Sequence, residues 1–286
     1  MPAPVPKRLA MSDRTPNLSL PKISIVTPSF NQAAFLEQTI TSIHADPSVE
    51  VEHLVVDGGS TDGSVEIIQR HAHRLAWWCS EPDRGQYDAV NKGFARTTAP
   101  IMGWLNSDDQ YTPWALSVVA QVFSQFPEVE WVTTRYPLRW DRLGRAIRCS
   151  RRNGFSRRGF FHGHYLPGRG DSLIQQESTF WRRSLWDRAG GKLNPDYPLA
   201  GDFELWARFF AHADLVMIDT PLGGFRAHGN QRSVLQRDNY VAEAERAWRA
   251  HGGAFPNLIA KYLPRRANST LCRFDGNTDG WVLATV

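Results

Sequence analysis

The chain has few cysteines and no long apolar run. Its three cysteines, Cys79, Cys149 and Cys272, lie far apart and form no CxxC pair. This pattern argues against a disulfide framework and against a cysteine zinc site, and it favours a reducing compartment. No stretch approaches the roughly 18 consecutive apolar residues that a membrane helix needs. We therefore expect a cytoplasmic protein whose membrane contact is at most peripheral, at the inner face of the membrane.

The length and composition are sufficient for one large α/β domain. The 286 residues are 42% hydrophobic and 12% aromatic, which provides ample material for a core. Residues 1–21 differ, because they mix Pro, Ser, Lys and Arg without periodicity and contain no apolar segment typical of a signal peptide. We predict a flexible leader at 1–21, a single domain at 22–230, and a C-terminal helical extension and tail at 231–286.

The net charge of +4 is distributed unevenly. Between Arg135 and Gly170 there are ten arginines, no lysine and one acidic residue, so this segment carries +9 and the rest −5. Residues 137–170 lack periodicity, which predicts a long Arg-rich loop, and arginine suits phosphate, carboxylate or an anionic membrane surface. No nucleic-acid-binding motif accompanies the arginines, so we expect no nucleic acid partner. A solvated loop without a partner is the alternative.

Four predicted strands end in polar residues. These ends lie at Thr27–Asn31, Asp57–Gly63, Glu81–Asp88 and Asn106–Asp109, and helical patterns separate the strands. Strands that alternate with helices at this spacing predict right-handed βαβ units and a Rossmann-like, mostly parallel sheet flanked by helices. Open α/β sheets bind ligands at the carboxyl ends of their strands, so the sequence predicts a site there.

Each polar segment also has a plain structural interpretation. The segment Asp57–Gly63, DGGSTDG, has glycines for a tight turn and hydroxyls that can cap a helix, and it matches neither a Walker loop nor GxGxxG. The segment Asn106–Asp109, NSDD, is composed of ordinary turn residues. Asp202 could cap the helix that it begins.

Taken together, five motifs resemble glycosyltransferase family 2 in order and spacing. They are TPSFN at 27–31, DGGSTDG at 57–63, DRGQYDAVNKG at 83–93, WLNSDD at 104–109 and GD at 201–202. The resemblance covers roughly residues 22–230 and implies an inverting enzyme of the GT-A fold. Processive synthases of this family usually add a QxxRW motif and membrane helices, and neither is apparent. We therefore expect single additions in the synthesis of a cell-surface polysaccharide, a glycolipid or a related glycoconjugate.

The resemblance assigns a donor site to the strand ends. It implies a nucleotide-diphosphate sugar as donor, with a UDP-sugar as the preferred expectation, because a carboxylate can accept hydrogen bonds from a uracil-type imide or from ribose hydroxyls. The residues expected to bind the nucleotide are Thr27, Pro28, Ser29, Asn31, Asp57, Asp83, Gly85, Asn91, Lys92, Asn106 and Ser107.

The resemblance also implies a divalent cation, Mn²⁺ or Mg²⁺. NSDD occupies the place of the family's DxD motif, with Asn106 at the first Asp and Asp108 at the second. Asp108 would bind the ion, Asp109 would assist through water, and His228 would supply a nitrogen ligand. Asn106 brings no negative charge, so metal affinity would be modest. A structural histidine is the alternative for His228.

Asp202 matches the position at which the family carries its general base. It would remove a proton from the acceptor hydroxyl, and Gln176, Glu177 and Trp104 are expected near that acceptor, which could be anionic or lipid-linked. Two alternatives remain. Asn106 leaves open a catalytically inactive nucleotide-sugar binding module. A nucleotidyltransferase is less compatible, because PSFNQAAF after the first strand lacks the glycines and basic residues that hold a triphosphate.

Overall fold

The computed structural model describes residues 20–169, 173–229, 231–255 and 269–286, so all but the last two residues of the predicted leader lie outside it. The described part contains thirteen strands: Ile23–Ser29 (β1), Val51–Asp57 (β2), Trp77–Ser80 (β3), Ile101–Trp104 (β4), Gln110–Tyr111 (β5), Trp131–Thr134 (β6), Leu138–Trp140 (β7), Ala146–Cys149 (β8), Phe180–Arg182 (β9), Val216–Ile218 (β10), Gly223–Arg226 (β11), Thr270–Asp275 (β12) and Gly280–Thr285 (β13).

The α-helices of the described part flank these strands. They are Ala33–Ile43 (α1), Ser64–His71 (α2), Gln86–Phe94 (α3), Ala115–Gln125 (α4), Arg157–Phe161 (α5), Arg183–Arg188 (α6), Gly201–His212 (α7), Arg232–Leu235 (α8) and Arg237–Ala250 (α9). None of the described helices is both long and apolar enough to cross a bilayer.

The central sheet is mostly parallel, as the strand–helix alternation predicts. Its order is β13-β12-β10-β6-β9-β4-β1-β2-β3 within the described residues. The segment from β4 to β3 is parallel throughout, while β9 is antiparallel to both of its neighbours, β4 and β6. The carboxyl ends of β1, β2, β3 and β4 therefore meet at one edge, where the predicted site residues begin.

Alternate side chains of β2 contact helices on opposite faces of the sheet. Val55 packs with residues of α1 and α2, whereas Leu54 and Val56 pack with α3 and the larger aromatic core. Successive side chains of a strand point to opposite faces, so one buried apolar strand packs against helices on both faces of the sheet. The sequence of β1, ISIVTPS, is buried along its whole length for the same reason.

The predicted Arg-rich loop requires a correction. The described residues of this segment, 137–169, contain the β7–β8 hairpin and the short helix α5, so they are not a structureless loop. Strand β7 joins a second sheet of order β5-β11-β7-β8. The pattern was hard to recognise because β7 has only three residues, with Arg139 exposed between buried Leu138 and Trp140, and all four residues of β8 are exposed.

The C-terminal region also differs from the prediction. The expected helix is present as α9, but residues 269–286 form β12 and β13. Strand β12 pairs in parallel with β10, and β13 pairs with β12 as the edge of the central sheet. The sheet therefore does not stop at residue 230, because Leu271 and Cys272 complete its apolar faces.

Candidate active site

The loop after β2 is organised around the Asp57 carboxylate. Its Oδ2 accepts hydrogen bonds from the backbone N–H groups of Gly59 and Ser60 and from the Ser80 hydroxyl, at 3.1, 2.8 and 2.7 Å. Its Oδ1 accepts a 2.6 Å hydrogen bond from the Ser60 hydroxyl. The side chain is fully buried. Asp57 therefore holds its own loop in place, and its expected contact with the donor stays a prediction.

A second carboxylate lies beside that loop. A Cβ built on Gly58 would lie 2.9 Å from Oδ2 of Asp83, so Asp83 occupies the space that a side chain at position 58 would need. Asp83 accepts a 2.8 Å hydrogen bond from the Gly85 N–H, and Gly85 has a φ of 112°, which a glycine adopts readily. Asp83 is partly exposed and remains available for a nucleoside.

Asn31 connects the loops after β1 and β2. Its N–H donates to the Ser60 hydroxyl at 2.7 Å, and its Oδ1 accepts from the Thr61 N–H at 2.9 Å. The residue adopts a left-handed backbone with a φ of 52°, a conformation in which asparagine is common. These contacts fix the rim of the cleft.

Only some of the polar groups at the end of β1 are available to a ligand. The Thr27 hydroxyl is buried and hydrogen-bonds to Nε2 of His53 at 3.0 Å, so we correct the expectation of a donor contact through this side chain. Pro28 and Ser29 follow it at the strand end and are also buried. Among the described residues the Ser29 hydroxyl has no hydrogen-bond partner, which leaves it able to bind a ligand group.

Two residues of α3 are engaged elsewhere. The Asn91 amide donates to the Leu193 carbonyl at 2.9 Å and accepts from the Leu193 N–H at 2.7 Å. Lys92 forms an ion pair with Glu81 at 2.8 Å. The Asn91 amide therefore fastens α3 to the segment before α7, and the expected donor contacts of Asn91 and Lys92 stay predictions.

Asn106 is the centre of an amide network at the end of β4. Its Oδ1 accepts from Gln86 at 2.7 Å, and its amide donates to Gln176 at 3.2 Å and to Asp109 at 3.3 Å. Gln176 in turn donates to the Trp104 carbonyl at 2.7 Å. An amide can both donate and accept, so Asn106 links neighbours that a carboxylate could only accept from.

The turn after Asn106 directs one carboxylate outward. Oδ2 of Asp108 lies 2.9 Å from Nε2 of His228, and their side chains are 17% and 2% exposed. Ser107 is buried at the same turn, and its carbonyl accepts a hydrogen bond from Thr39. The His228 ring packs on Phe35, with 4.6 Å between centroids. The second sheet brings this pair together, because β11 pairs with β5 immediately after the turn.

Arg226 holds this arrangement and was not predicted. It is fully buried, its N–H donates to Oδ1 of Asp109 at 2.8 Å, and its Nε donates to the Asp108 carbonyl at 2.6 Å. Its remaining nitrogens bond to Gln38, Gln110 and the Arg142 carbonyl. The available signal was an arginine inside a short apolar strand, GGFR, since a buried charge needs partners.

The Arg-rich segment contacts the site through Arg142. Its carbonyl accepts from Arg226 at 3.3 Å, and its guanidinium lies 5.6 Å from the centroid of Phe35, the ring that also supports His228. Other arginines of the segment are used locally, such as Arg145 with Asp141 at 2.7 Å. The described contacts thus place the β7–β8 hairpin beside the Asp108–His228 pair.

Two buried acidic residues, Asp109 and Glu177, lie near the Asp108–His228 pair. Burial, followed by the charges of Asp108 and Glu177, raises the pKa of Asp109 well above its usual range. Burial, followed by the charges of Asp202 and Asp108, raises the pKa of Glu177 to about 7. Asp109 is 1% exposed and bound to Arg226, so it supports the turn, and its expected role at the metal stays a prediction.

Asp202 begins α7 in a mixed environment. Burial raises its pKa to about 6, and hydrogen bonds from Tyr87, Tyr240 and the local backbone oppose that shift. The Tyr87 hydroxyl lies 3.5 Å from Oδ1 of Asp202 and accepts from the Asp202 N–H at 3.3 Å. Asp202 and Tyr240 also line a small cavity with apolar residues such as Phe203 and Trp206. Neither tyrosine was predicted as a site residue, although Tyr87 lies within the DRGQYDAVNKG motif.

Trp104 does not contribute its side chain to the cleft. It is 1% exposed and packs among Trp181, Trp206 and Phe94 in the core. We correct the expected acceptor contact, because the strand's alternation turns this ring inward and leaves only its carbonyl near the site. Gln176 and Glu177 are also buried, so they support the site from below.

The architecture and this edge of the sheet define a GT-A glycosyltransferase fold. The model of the family described as Glycosyl transferase family 2 matches residues 24–183. An uncharacterised glycosyltransferase of Mycobacterium tuberculosis is 31% identical over 191 residues, covering 66% of this chain and 69% of the relative. The chain therefore belongs to glycosyltransferase family 2 and is a glycosyltransferase.

Solved structures agree with the fold. TarS 1–349 of S. aureus in complex with UDP-GlcNAc superposes with a TM-score of 0.54 at 15% identity, covering 73% of this chain and 60% of that chain. Glucosyl-3-phosphoglycerate synthase of Mycobacterium tuberculosis, in complex with Mn²⁺, UDP and glucosyl-3-phosphoglycerate, gives 0.55 at 17% identity, covering 93% and 87%.

Proposed function

We propose that this chain is an inverting, non-processive glycosyltransferase that moves a sugar from a UDP-sugar to a hydroxyl of an acceptor. The acceptor belongs to a polysaccharide, a glycolipid or a related glycoconjugate. The observation that carries the proposal is the placement of Asp202, a half-buried carboxylate in the first turn of α7 that the Tyr87 hydroxyl contacts, and burial raises its pKa to about 6. A general base works best when its pKa lies near the operating pH.

Asp202 would accept the proton of the attacking hydroxyl. That oxygen then forms the new bond to the anomeric carbon, while the bond from that carbon to the nucleoside diphosphate breaks on the opposite face. Tyr87 contacts Asp202 at both the carboxylate and the N–H, so it holds the base in one orientation. In-line attack from a fixed position inverts the anomeric configuration.

The donor would lie across the ends of β1, β2 and β4. We propose that Pro28, Ser29, Asp83, Gly85, Asn106 and Ser107 line its nucleotide, with Asp83 as an acceptor for a base imide or a ribose hydroxyl. The UDP complexes of the two structural neighbours support uridine as the base. Asn31 and Asp57 shape the loop against which this nucleotide rests.

The residues fit a divalent cation that arrives with the nucleotide. Asp108 and His228 offer one carboxylate and one imidazole, and the described residues contain no group of three or more such ligands. Mg²⁺ prefers oxygen ligands, whereas imidazole binds transition metals, so we propose Mn²⁺. When bound, the ion would neutralise charge on the leaving diphosphate.

The test is turnover of UDP- and GDP-sugars with Mn²⁺, compared between the native protein and Asp202→Asn. We expect the native protein to hydrolyse a UDP-sugar slowly or to transfer its sugar, with an inverted anomeric centre by NMR. Asp202→Asn should lose roughly 10²- to 10⁴-fold in turnover, as expected for removal of a general base, and keep its affinity for UDP.

Two outcomes would count against the proposal. Tight binding of nucleotide sugars without turnover would identify an inactive binding module instead. Release of pyrophosphate from a nucleoside triphosphate and a sugar phosphate would identify a nucleotidyltransferase.

A further inference from the structure

An open pocket of about 360 Å³ lies next to the segment that leads into α7, the helix that begins with Gly201 and Asp202. It is formed by the segment before α7 and by α8 and α9, and its lining includes Leu199, Arg232, Gln236, Asn239 and Glu243. Ligand sites commonly begin at about 300 Å³. These residues lie at 199 and between 232 and 243, outside the five motifs that carry the family resemblance.

One wall of the pocket also positions Asp202. The Glu243 carboxylate accepts hydrogen bonds from the N–H groups of Leu199 and Ala200, at 2.9 and 3.0 Å. The Leu199 carbonyl accepts from the Tyr87 hydroxyl at 2.9 Å, and that hydroxyl contacts Asp202. These hydrogen bonds hold this wall of the pocket in place, and Leu199 precedes Asp202 by three residues in the sequence.

The other end of the pocket reaches the donor loop. Nη1 of Arg232 lies 3.9 Å from the position of a Cβ on Gly85, the residue that follows the Asp83 turn. The pocket thus lies between the loop that carries Gly85 and the segment that leads into Asp202. An acceptor whose hydroxyl reaches Asp202 could place its neighbouring groups in this pocket.

The lining has a distinct chemistry. Oε2 of Glu243 accepts from the two backbone donors, and Arg246 is held by the Asp196 carbonyl at 2.6 Å and by the Tyr197 ring. Among the described residues, the side chains of Arg232, Gln236 and Asn239 have no hydrogen-bond partner. They offer one guanidinium and two amides, which suit sugar hydroxyls and one anionic group.

We propose that this pocket binds the acceptor, and that the acceptor is a saccharide with a carboxylate or phosphate near the reacting hydroxyl. Arg232 contacts the anionic group, and Gln236 and Asn239 contact hydroxyls. This assignment rests on the proposed function, because it takes Asp202 as the base and the strand ends as the donor site.

The experiment measures saccharide binding by NMR titration with UDP and Mn²⁺ present at saturating concentrations. The probes are methyl glucoside, methyl glucuronoside and glucose 6-phosphate, which carry a hydroxyl, a carboxylate and a phosphate on the same carbon. We expect an acidic probe to bind at least about tenfold more tightly than the neutral one, which corresponds to about 1.4 kcal/mol. The two acidic probes distinguish the carboxylate from the phosphate.

Arg232→Gln should abolish that preference, and Arg237→Gln, which removes an equal charge from an exposed residue outside the pocket lining, should retain it. Equal binding of all three probes to the native protein would overturn the inference. Loss of UDP affinity in Arg232→Gln would also overturn it, by assigning this arginine to the donor. Acid-selective binding without any sugar transfer would contradict the proposed function alone.

Discussion

The loop after β2 and the start of α7 hold their carboxylates in opposite ways. Asp57 accepts four hydrogen bonds of 3.1 Å or less from its own loop and from Ser80, and it is fully buried. Asp202 also accepts hydrogen bonds, from Tyr87, Tyr240 and the local backbone, but its Tyr87 contact is 3.5 Å long and burial raises its pKa to about 6. Both residues occur in motifs that resemble family sites, but their surroundings differ.

This difference separates a structural carboxylate from a chemical one. Short hydrogen bonds from its own loop fix the Asp57 carboxylate, so this side chain constrains the backbone around it. At Asp202 burial outweighs the hydrogen bonds, and a buried carboxylate binds a proton more readily. The length of the hydrogen bonds and the balance between them and burial, rather than membership of a motif, distinguish the two roles.

The largest effect on stability is expected at Asp57. Replacing it with Asn would turn an amide N–H₂ toward N–H groups that need an acceptor, so we expect Asp57→Asn to lower the free energy of unfolding by about 3 kcal/mol. Urea denaturation followed by circular dichroism measures this. Asp46→Asn is the control, since Asp46 accepts from Ser48 in an exposed turn, and it should cost clearly less. Equal losses would remove the distinction drawn for Asp57.

The same substitution at Asp202 should have the opposite sign. Because the folded-state pKa is raised to about 6, folding favours the protonated carboxyl, and the stability it contributes is lost as pH rises through about 6. Asn mimics the protonated form. At pH 8 we expect Asp202→Asn to be more stable than the native protein by about 2 kcal/mol.

The pH dependence provides the control for that prediction. Below about pH 4 both proteins carry a neutral group at position 202, so their melting temperatures should converge there. A variant that is less stable than the native protein at pH 8 would mean that the Asp202 carboxylate is stabilised by its surroundings, which would contradict the comparison.

Asp108 offers an intermediate case, with His228 as its side-chain partner at 2.9 Å. We expect His228→Ala to raise the Mn²⁺ concentration needed for UDP binding by about 10-fold or more, as loss of groups at metal sites does. Calorimetric titration measures it. His251→Ala is matched, because His251 pairs at 3.0 Å with Glu204, whose carboxylate is already bonded to Arg208. An equal change in both variants would show that His228 does not bind the metal ion.

The sequence predicted the order of the site but not the contacts that assign its roles. The parallel strands and their polar ends followed from short-range periodicity, which is why Asp83, Asn106 and Asp108 were expected at one edge, whereas Asp202 was expected there only from the family resemblance. The inward orientation of Trp104 was not predicted, because a run of apolar residues does not reveal which face of a strand points inward. The hydrogen bonds of Asp57 were not predicted either, because one of them comes from Ser80, 23 positions away.

The missed elements have similar causes. The hairpin β7–β8 is short and half exposed, so it lacks the alternation that marks a buried strand. Arg226 was missed because its partners, among them Gln38 and Asp108, are distant in sequence and meet only when β11 joins β5. Strands β12 and β13 were missed although Asp275–Gly280, DGNTDG, has the composition of a hairpin turn.

The smallest effect is expected from Tyr87→Phe, which removes one of the several hydrogen bonds to the Asp202 carboxylate. The Tyr87 hydroxyl lies closer to the Leu199 carbonyl, at 2.9 Å, than to Asp202, at 3.5 Å, so its proton stabilises the Asp202 charge only weakly. Its loss should raise the pKa of Asp202 and move the acidic limb of kcat/KM to higher pH by about half a unit or less. Tyr111→Phe, which removes a buried hydroxyl without a partner among the described residues, should leave that limb in place. A shift toward lower pH in Tyr87→Phe would mean that the Tyr87 hydroxyl destabilises the charged form of Asp202. Hydrogen bonding would then not explain the difference between Asp57 and Asp202.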